Sequence, residues 1–177
     1  TKSKSFLYKL NVLQTNVLVL MKHIIKELSQ SDFDVSDCEL KIGTDIPAYT
    51  IKLPTGQNIA VYGSIDRVDV MNNGAEKYIR IVDYKTGTKT FKLSDILYGL
   101  NLQMLLYLYA VKMNGKEKYG DFVPAGILYM PATVPVISAD DNTTAEKIES
   151  TLDTKLKMNG ILLDDVKVIR GMDKSEL

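Results

Sequence analysis

The sequence has few of the features that mark several common protein classes. Cys38 is the single cysteine, so no disulfide can form within the chain, and a reducing compartment is expected. The 22 basic and 22 acidic side chains cancel, so there is no overall positive charge of the kind that marks many nucleic-acid-binding proteins. The longest apolar run, near residues 16–21, is too short to span a membrane, and no G-x-x-x-x-G-K-[ST] phosphate loop is present. Because the net charge is zero, any nucleic-acid-binding site must be a local groove and not the surface as a whole.

The composition is that of an ordinary globular domain. Hydrophobic residues make up 45% and charged residues 25% of the 177 positions, and that length suffices for one domain with a real core. No internal repeat, low-complexity stretch or linker interrupts it, so residues 1–177 are predicted to form a single domain. Because the chain begins at Thr1 without methionine, we expect it to be a piece of a longer protein.

Two neighbouring segments have the pattern of a β-hairpin. Residues 59–71 are rich in β-branched side chains that partly alternate with polar ones, which predicts one strand. Gly63 within it indicates a bulge or a close backbone approach. The Asn-Asn-Gly sequence at residues 72–74 is typical of a hairpin turn, and residues 77–86 are predicted to be the returning strand.

Charged side chains occupy otherwise apolar faces of both predicted strands. Asp66 shares a face with valines of its strand, and Asp83 and Lys85 continue the isoleucine face of the other. Antiparallel neighbours can hold two such carboxylates close together, and their repulsion makes a divalent cation their natural partner. Hard carboxylate oxygens suit Mg²⁺ or Mn²⁺. The D-x-K sequence Asp83-Tyr84-Lys85 thus predicts a metal-dependent phosphodiesterase site, in which a metal activates water and the lysine contacts the phosphate or that water.

The same charges have a simpler interpretation. Asp66, Arg67, Asp69 and Lys85 could be solvated strand residues that form ion pairs, because D-x-K alone is a short motif with many chance matches.

The wider context of these strands resembles a known family. The segments GSIDRVD, RIVDYKTG and GLNLQMLLYL are similar to the RecB-like branch of the PD-(D/E)xK nucleases. Within that branch they resemble the C-terminal nuclease domain of AddB proteins, the second subunit of bacterial AddAB helicase–nucleases. The similarity continues through PAGILYMP and KMNGILLDDVKVIRGMD, and so covers most of residues 16–174. It implies an α/β fold with a restriction-endonuclease-like core, in which helices flank a central mixed sheet.

The resemblance also implies roles for particular residues. Asp66 and Asp83, with the backbone carbonyl of Tyr84, would bind Mg²⁺ or Mn²⁺, and Lys85 would stabilise the transition state or help to deprotonate water. The implied activity is that of a DNA exonuclease acting on single strands from an AddA-like helicase partner, in double-strand break repair and recombination. The implied location is the bacterial cytoplasm, without a membrane.

A predicted helix at residues 95–113 carries two further candidates. It is apolar almost all round and should be buried, with Ser94 as its cap. Gln103 and Tyr107 share one stripe of it, and the resemblance implies that the glutamine orients the lysine, water or DNA while the tyrosine lines the DNA path. The alternative is a core glutamine bonded to the backbone beside a tyrosine that only packs.

The loop before this helix carries Lys89 and Lys92, close to Lys85. These lysines could follow a phosphate backbone or form an ordinary solvated loop.

Three other residues invite a functional interpretation. His23 lies on the predicted helix 5–29, but the family's metal-binding histidine lies upstream, so we interpret His23 as a surface or structural residue and not a ligand. Glu39 could supply a further acid, although a solvated charge is favoured. AddB-like proteins bind an iron–sulfur cluster through four cysteines, so a cluster is expected only in the full-length parent. Cys38 is expected to be an ordinary thiol, either in a loop or buried.

The remaining segments complete the prediction. We expect a polar loop at 30–38, strands at 39–43, 47–53 and 122–130, a helix at 143–158, and a strand or surface segment at 161–170.

Two other functions remain open. One is a catalytically silent nuclease fold that binds DNA or a partner, and the other is a structural domain of a larger complex.

Overall fold

The structure is a computed structural model that describes residues 3–87, 92–99, 102–138 and 143–174. The helices within these ranges are α1 Lys4–Gln30, α2 Leu93–Leu97, α3 Gln103–Asn114, α4 Lys116–Tyr119, α5 Ala145–Leu156 and α6 Val166–Met172. The strands are β1 Asp34–Ile42, β2 Tyr49–Lys52, β3 Asn58–Val61, β4 Gly63–Asn73, β5 Glu76–Lys85, β6 Val123–Pro131 and β7 Asn159–Leu162. No helix in the described part of the chain is long and apolar enough to cross a membrane.

The central sheet has five strands in the order β1-β4-β5-β6-β7. β5 and β6 run parallel, and the other neighbouring pairs run antiparallel. A separate hairpin, β2-β3, forms a second sheet of two strands. The predicted α/β class with a mixed central sheet is therefore confirmed.

The β4–β5 hairpin forms as its sequence predicts. Its register runs from Asn73↔Glu76 at the turn to Arg67↔Val82 at the far end. Gly74 adopts a φ of 64°, a left-handed conformation that glycine accepts without steric cost. The predicted strand at 77–86 corresponds to β5, with bounds that differ by one residue at each end.

The prediction of one strand over residues 59–71 is wrong. The segment contains both β3 and β4, which are separated at Tyr62. β3 pairs only with β2 among the described strands, whereas β4 lies between β1 and β5 in the main sheet. The chain therefore changes sheets immediately before Gly63.

One face of the main sheet packs against α3. Val68 of β4 and Ile79 and Ile81 of β5 are fully buried there, in one cluster with Ala110 and Val111 of the helix. Because side chains alternate along a strand, Asp66, Asp83 and Lys85 extend from this same face.

The opposite face packs against α1, α5 and α6, so helices flank the sheet on both sides as predicted. Val82 and Leu128 pack with Ile24 of α1, and Tyr78 packs with Val168 of α6. Much of α1 remains uncovered, since none of its described residues is fully buried and many of its apolar side chains are exposed.

The helix predicted at residues 95–113 is instead two helices, α2 and α3. Gly99, which follows α2, has a φ of 77°, a conformation that a continuous helix does not contain. Ser94 lies inside α2 and does not cap it. α3 is also not buried all round, because Leu106 and Tyr109 face solvent on the side away from the sheet.

The other segment predictions had mixed outcomes. The strand at 122–130 and the helix at 143–158 are confirmed as β6 and α5, and the hydroxyl of Thr144 caps the helix. The loop predicted at 30–38 is wrong from Asp34 onward, where β1 begins. Residues 161–170 contain the end of β7 and most of α6.

Ile81→Ala should test whether β5 is the centre of the core. Ile81 is fully buried between the sheet and α3, so its truncation leaves a cavity and should lower the free energy of unfolding by about 2–5 kcal/mol. Urea denaturation would measure this change. Val136→Ala is the control, since Val136 is 91% exposed, and it should change stability by less than about 0.5 kcal/mol. Equal effects of the two substitutions would contradict the assigned packing.

Candidate active site

Asp66 and Asp83 lie at adjacent positions on neighbouring strands. The described β4–β5 pairing ends at Arg67↔Val82, and the two aspartates are the next residues along their strands. The backbone N–H of Tyr84 donates a hydrogen bond of 2.8 Å to Oδ2 of Asp66. The carboxylate of Asp66 is therefore anchored to the peptide that follows Asp83. The structure thus brings together the two acids that the sequence predicts to be neighbours.

Lys85 forms an ion pair with Asp83, with 2.5 Å between Nζ and Oδ2. Both side chains are mostly buried but reach solvent, with exposed fractions of 29% for the lysine and 15% for the aspartate. The ammonium group supplies the positive charge that balances Asp83 when no other cation is close. Together with Asp66, which is also half-buried, these two charged groups lie at the end of the β4–β5 pair, where solvent reaches them.

Tyr129 is a neighbour of this site that the sequence did not indicate. It pairs with Asp83 across the parallel β5–β6 ladder, and Nζ of Lys85 lies 5.6 Å from its ring centroid. Burial raises the pKa of the Tyr129 phenol, the Asp83 carboxylate adds to this rise, and Lys85 opposes it. The phenol thus stays neutral beside the charged pair. The only sequence signal for Tyr129 was its position on a predicted strand.

The donor set suits a hard divalent cation. Oδ2 of Asp83 is buried and makes no hydrogen bond of normal geometry, although it contacts Lys85. The other candidate donors are the Asp66 carboxylate and the Tyr84 backbone carbonyl. All of these donors are oxygens, which Mg²⁺ and Mn²⁺ prefer. No group of three or more His, Cys, Asp or Glu side chains within the described residues is placed to bind one ion. A bound cation would therefore have to complete its shell with backbone oxygen, water or substrate.

Gln103 and Tyr107 are hydrogen-bonded to each other, with 3.0 Å from Nε2 to the phenol oxygen. Tyr107 is 8% exposed and lies against Gly63, where an added Cβ would be 1.9 Å from its hydroxyl oxygen. The close backbone approach expected at Gly63 is therefore present, and Tyr107 fills it. Tyr107 packs in one cluster with Val68 and Ile81, so the pair lies on the sheet face from which Asp66 and Asp83 extend, and its contact with Gly63 places it at the same end of β4.

The prediction that Gln103 is buried is wrong, because its side chain is exposed. Gln103 is the first residue of α3 and not part of the middle of a longer helix, so its side chain leaves the sheet at an open end. The remainder of the predicted stripe extends to Leu100, which lies outside the described residues.

Of the two loop lysines, the structure describes only Lys92. Lys89 lies outside the described residues. Lys92 is exposed at the N-terminus of α2, where its side chain makes no capping hydrogen bond. A role for either in binding DNA stays a prediction.

His23 lies away from this site, on the opposite face of the sheet. Its Nε2 is 3.1 Å from the carbonyl oxygen of Leu156, and its Nδ1 is 3.6 Å from the carboxylate of Asp153. Its side chain is only 13% exposed between α1 and α5, so of the two roles expected for it, surface or structural, the structural one fits this position. Its contacts join two helices and do not involve Asp66 or Asp83.

Glu39 and Cys38 lie on β1, beside β4. Glu39 is exposed, accepts a hydrogen bond from Ser64, and has a φ of 55°, unusual for a residue with a side chain. Cys38 is an exposed strand residue, so the expectation of a loop or buried thiol is wrong.

Arg67 and Asp69 do not fit the interpretation as solvated charges. They are 2% and 0% exposed, on the sheet face opposite the site. Burial acts to lower the pKa of Arg67, but Asp69, Tyr84 and Glu27 together hold that pKa above its usual value. Burial raises the pKa of Asp69, and the neighbouring arginines oppose this rise. These charges form a network inside the protein.

Gly63→Ala should disturb the Tyr107 position. The new methyl group would overlap the phenol ring, so we expect a loss of about 1–3 kcal/mol in unfolding free energy, measured by urea denaturation. Gly87→Ala is the matched control, because no atom of the described residues lies within 4 Å of an added Cβ there, and its stability should be unchanged. If Gly63→Ala were as stable as the control, Tyr107 would not lie against β4.

Comparison with known proteins adds sequence relationships to this geometry. Residues 9–174 match the PD-(D/E)XK nuclease superfamily. A protein of Thermoanaerobacter sp. (strain X514), named as a subunit of an ATP-dependent helicase/deoxyribonuclease, is 40% identical over 166 residues, which cover 93% of this chain and 14% of that protein. Proteins of the same name from Clostridium kluyveri (strain NBRC 12016) and Clostridioides difficile (strain 630) are 45% and 35% identical, over 74% and 97% of this chain.

The chain spans only a small part of these relatives, 14%, 12% and 15% of their respective lengths. The matched region nevertheless contains both strands of the site and α3. From the superfamily match over most of its length and the identity to these helicase/deoxyribonuclease subunits, the chain belongs to the PD-(D/E)XK nuclease superfamily.

Proposed function

We propose that this chain is a Mg²⁺- or Mn²⁺-dependent deoxyribonuclease domain that hydrolyses DNA phosphodiester bonds. The observation that carries the proposal is the placement of Asp66 and Asp83 side by side. One is held by the N–H of Tyr84 and the other is paired with Lys85. Superfamily membership establishes a nuclease relationship, whereas the metal, the substrate and the residue roles belong to the proposal.

Two carboxylates and one backbone oxygen would hold the metal. Asp66, Asp83 and the carbonyl of Tyr84 are the proposed ligands. When bound, the divalent ion would supply charge stabilisation for the phosphate and a lower pKa for an attacking water. The hydrogen bond from Tyr84 to Asp66 orients that carboxylate in advance, so less reorganisation is needed when the ion binds.

Lys85 would act on the phosphate. It is near the strand end and partly exposed, and in the structure it is paired with Asp83. An ammonium in this position can stabilise negative charge on a phosphate oxygen, or help to hold an attacking water that loses its proton. Gln103 would orient the substrate or water, and Tyr107, held against Gly63, would line the DNA path.

The finer substrate assignment rests on the relatives. Their name describes a deoxyribonuclease joined to an ATP-dependent helicase. We propose that this chain acts as an exonuclease on single strands delivered by an AddA-like helicase partner, during double-strand break repair and recombination in the bacterial cytoplasm. Lys89 and Lys92 are proposed contacts to the DNA backbone.

Asp83→Ala should abolish metal-dependent cleavage and leave the fold intact. We expect the rate on single-stranded DNA with Mn²⁺ to fall by at least about 100-fold, because the metal contributes several kcal/mol of transition-state stabilisation. Circular dichroism would check the fold. Asp121→Ala is the control, since Asp121 is 84% exposed and paired only with Lys116 among the described residues. Undiminished cleavage by Asp83→Ala would remove this carboxylate from the site.

Metal binding can be measured without turnover, which matters for a chain that spans 14% of its relative's length. Calorimetric titration with Mn²⁺ should show binding by the wild type and at least about tenfold weaker binding by Asp66→Asn, which keeps the side chain's shape but removes its charge. The Asp121→Asn variant should bind as the wild type does. Equal binding by all three proteins would contradict the assignment of Asp66 as a ligand.

A further inference from the structure

A buried ionic network lies directly behind the candidate site, on the other face of β4 and β5. Asp69 accepts hydrogen bonds from Nη2 of Arg67 at 2.9 Å and from Nε of Arg80 at 2.8 Å. Glu27 of α1 accepts from the same two arginines, at 3.2 Å and 2.6 Å. The strand residues are at most 2% exposed, and the Glu27 side chain is 12% exposed. Two negative and two positive side chains therefore balance inside the protein.

Stability alone does not explain this network. Well-packed apolar side chains are often as stabilising as a buried ion pair, because removing charges from water is costly. Here, moreover, Nε of Arg67 and Oδ1 of Asp69 are buried without a hydrogen-bond partner among the described residues. What such a network supplies beyond stability is a fixed position for each side chain that it holds.

The network reaches the site through Tyr84. Nη1 of Arg67 donates to the Tyr84 hydroxyl at 3.3 Å, and the guanidinium carbon lies 5.9 Å from that ring's centroid. The backbone N–H of the same tyrosine donates to Asp66, which is the neighbour of Arg67 in the chain. Tyr84 is thus held at two points, by its hydroxyl on the network face and by its backbone amide at the carboxylate of Asp66 on the neighbouring strand.

We propose that Tyr84 is a positioning residue for the metal-binding oxygens. Its hydroxyl, anchored by the buried Arg67–Glu27 network, fixes the peptide between Asp83 and Lys85 and so sets where Asp66, Asp83 and the Tyr84 carbonyl converge. The network also extends this support to α1 through Glu27. This inference rests on the proposed function for its consequence in metal binding, but its geometric part stands on the hydrogen bonds alone.

Tyr84→Phe removes the hydroxyl and retains the ring, and amide hydrogen exchange measures the result without metal or DNA. We expect the amide at position 84 to exchange about fivefold faster, the effect of losing a hydrogen bond worth about 1 kcal/mol. Amides at the hairpin end of β5 should be unchanged. Tyr78→Phe is the matched control on the same strand and face, where the hydroxyl bonds to Glu76 and Asp165. It should leave exchange at position 84 unaltered, and equal rates in the two variants would overturn the proposal.

Calorimetric titration with Mn²⁺ then separates this inference from the proposed function. Wild type and Tyr78→Phe should bind alike, Tyr84→Phe about fivefold more weakly, and Asp83→Asn least of all. If Asp83→Asn binds as the wild type does, the proposed metal site is wrong, whereas the exchange result still decides the positioning role. If Asp83→Asn fails to bind but Tyr84→Phe matches Tyr78→Phe, the site stands and the positioning role of Tyr84 is overturned.

Discussion

The hydrogen bond from the amide of Tyr84 to the carboxylate of Asp66 is the contact on which the site depends. Two carboxylates at neighbouring strand ends repel each other, and each loses hydration as the sheet buries it. A fixed N–H donor compensates one of them, and the ammonium of Lys85 compensates the other. Both donors belong to residues of the D-x-K segment. That segment therefore supplies an acid and also the groups that allow a second acid to lie beside it.

The two faces of the β4–β5 pair carry different charge balances. Behind the sheet, Glu27 and Asp69 are matched by two arginines, so the network is neutral, and only Glu27 among these four residues is more than 2% exposed. At the site, the described residues supply two carboxylates and one ammonium, and solvent reaches all three groups. An unbalanced, accessible negative charge attracts a cation, whereas a balanced and buried set does not. Alternation along the strands thus places the partly exposed charges on one face of the sheet and the buried network on the other.

Features that depend on residues close together in the chain could be predicted from the sequence, whereas features that depend on residues far apart in the chain could not. The β4–β5 hairpin, and the shared face of Asp66, Asp83 and Lys85, follow from period-2 alternation and an Asn-Gly turn, which are local signals. The burial of Arg67 was missed because it depends on Glu27, 40 positions earlier in the chain, and a strand pattern does not reveal that partner. Gln103 was misplaced because one apolar run was predicted as one helix, although the chain turns at Gly99 before α3. Gly63 predicted a close approach, but not that Tyr107 would occupy it.

The pairing of Lys85 with Asp83 also bears on how two carboxylates can lie side by side at this strand end. If both carboxylates lacked a cation, their repulsion would favour separation of the strand ends, where the described β4–β5 pairing has already stopped at Arg67↔Val82. The lysine ammonium reduces that repulsion from within the same strand. Both members of the pair are mostly buried, so removing the lysine would leave Asp83 with an uncompensated charge unless another cation replaced it. Under the proposed function, a divalent cation would take over that balance and leave the ammonium to contact the phosphate.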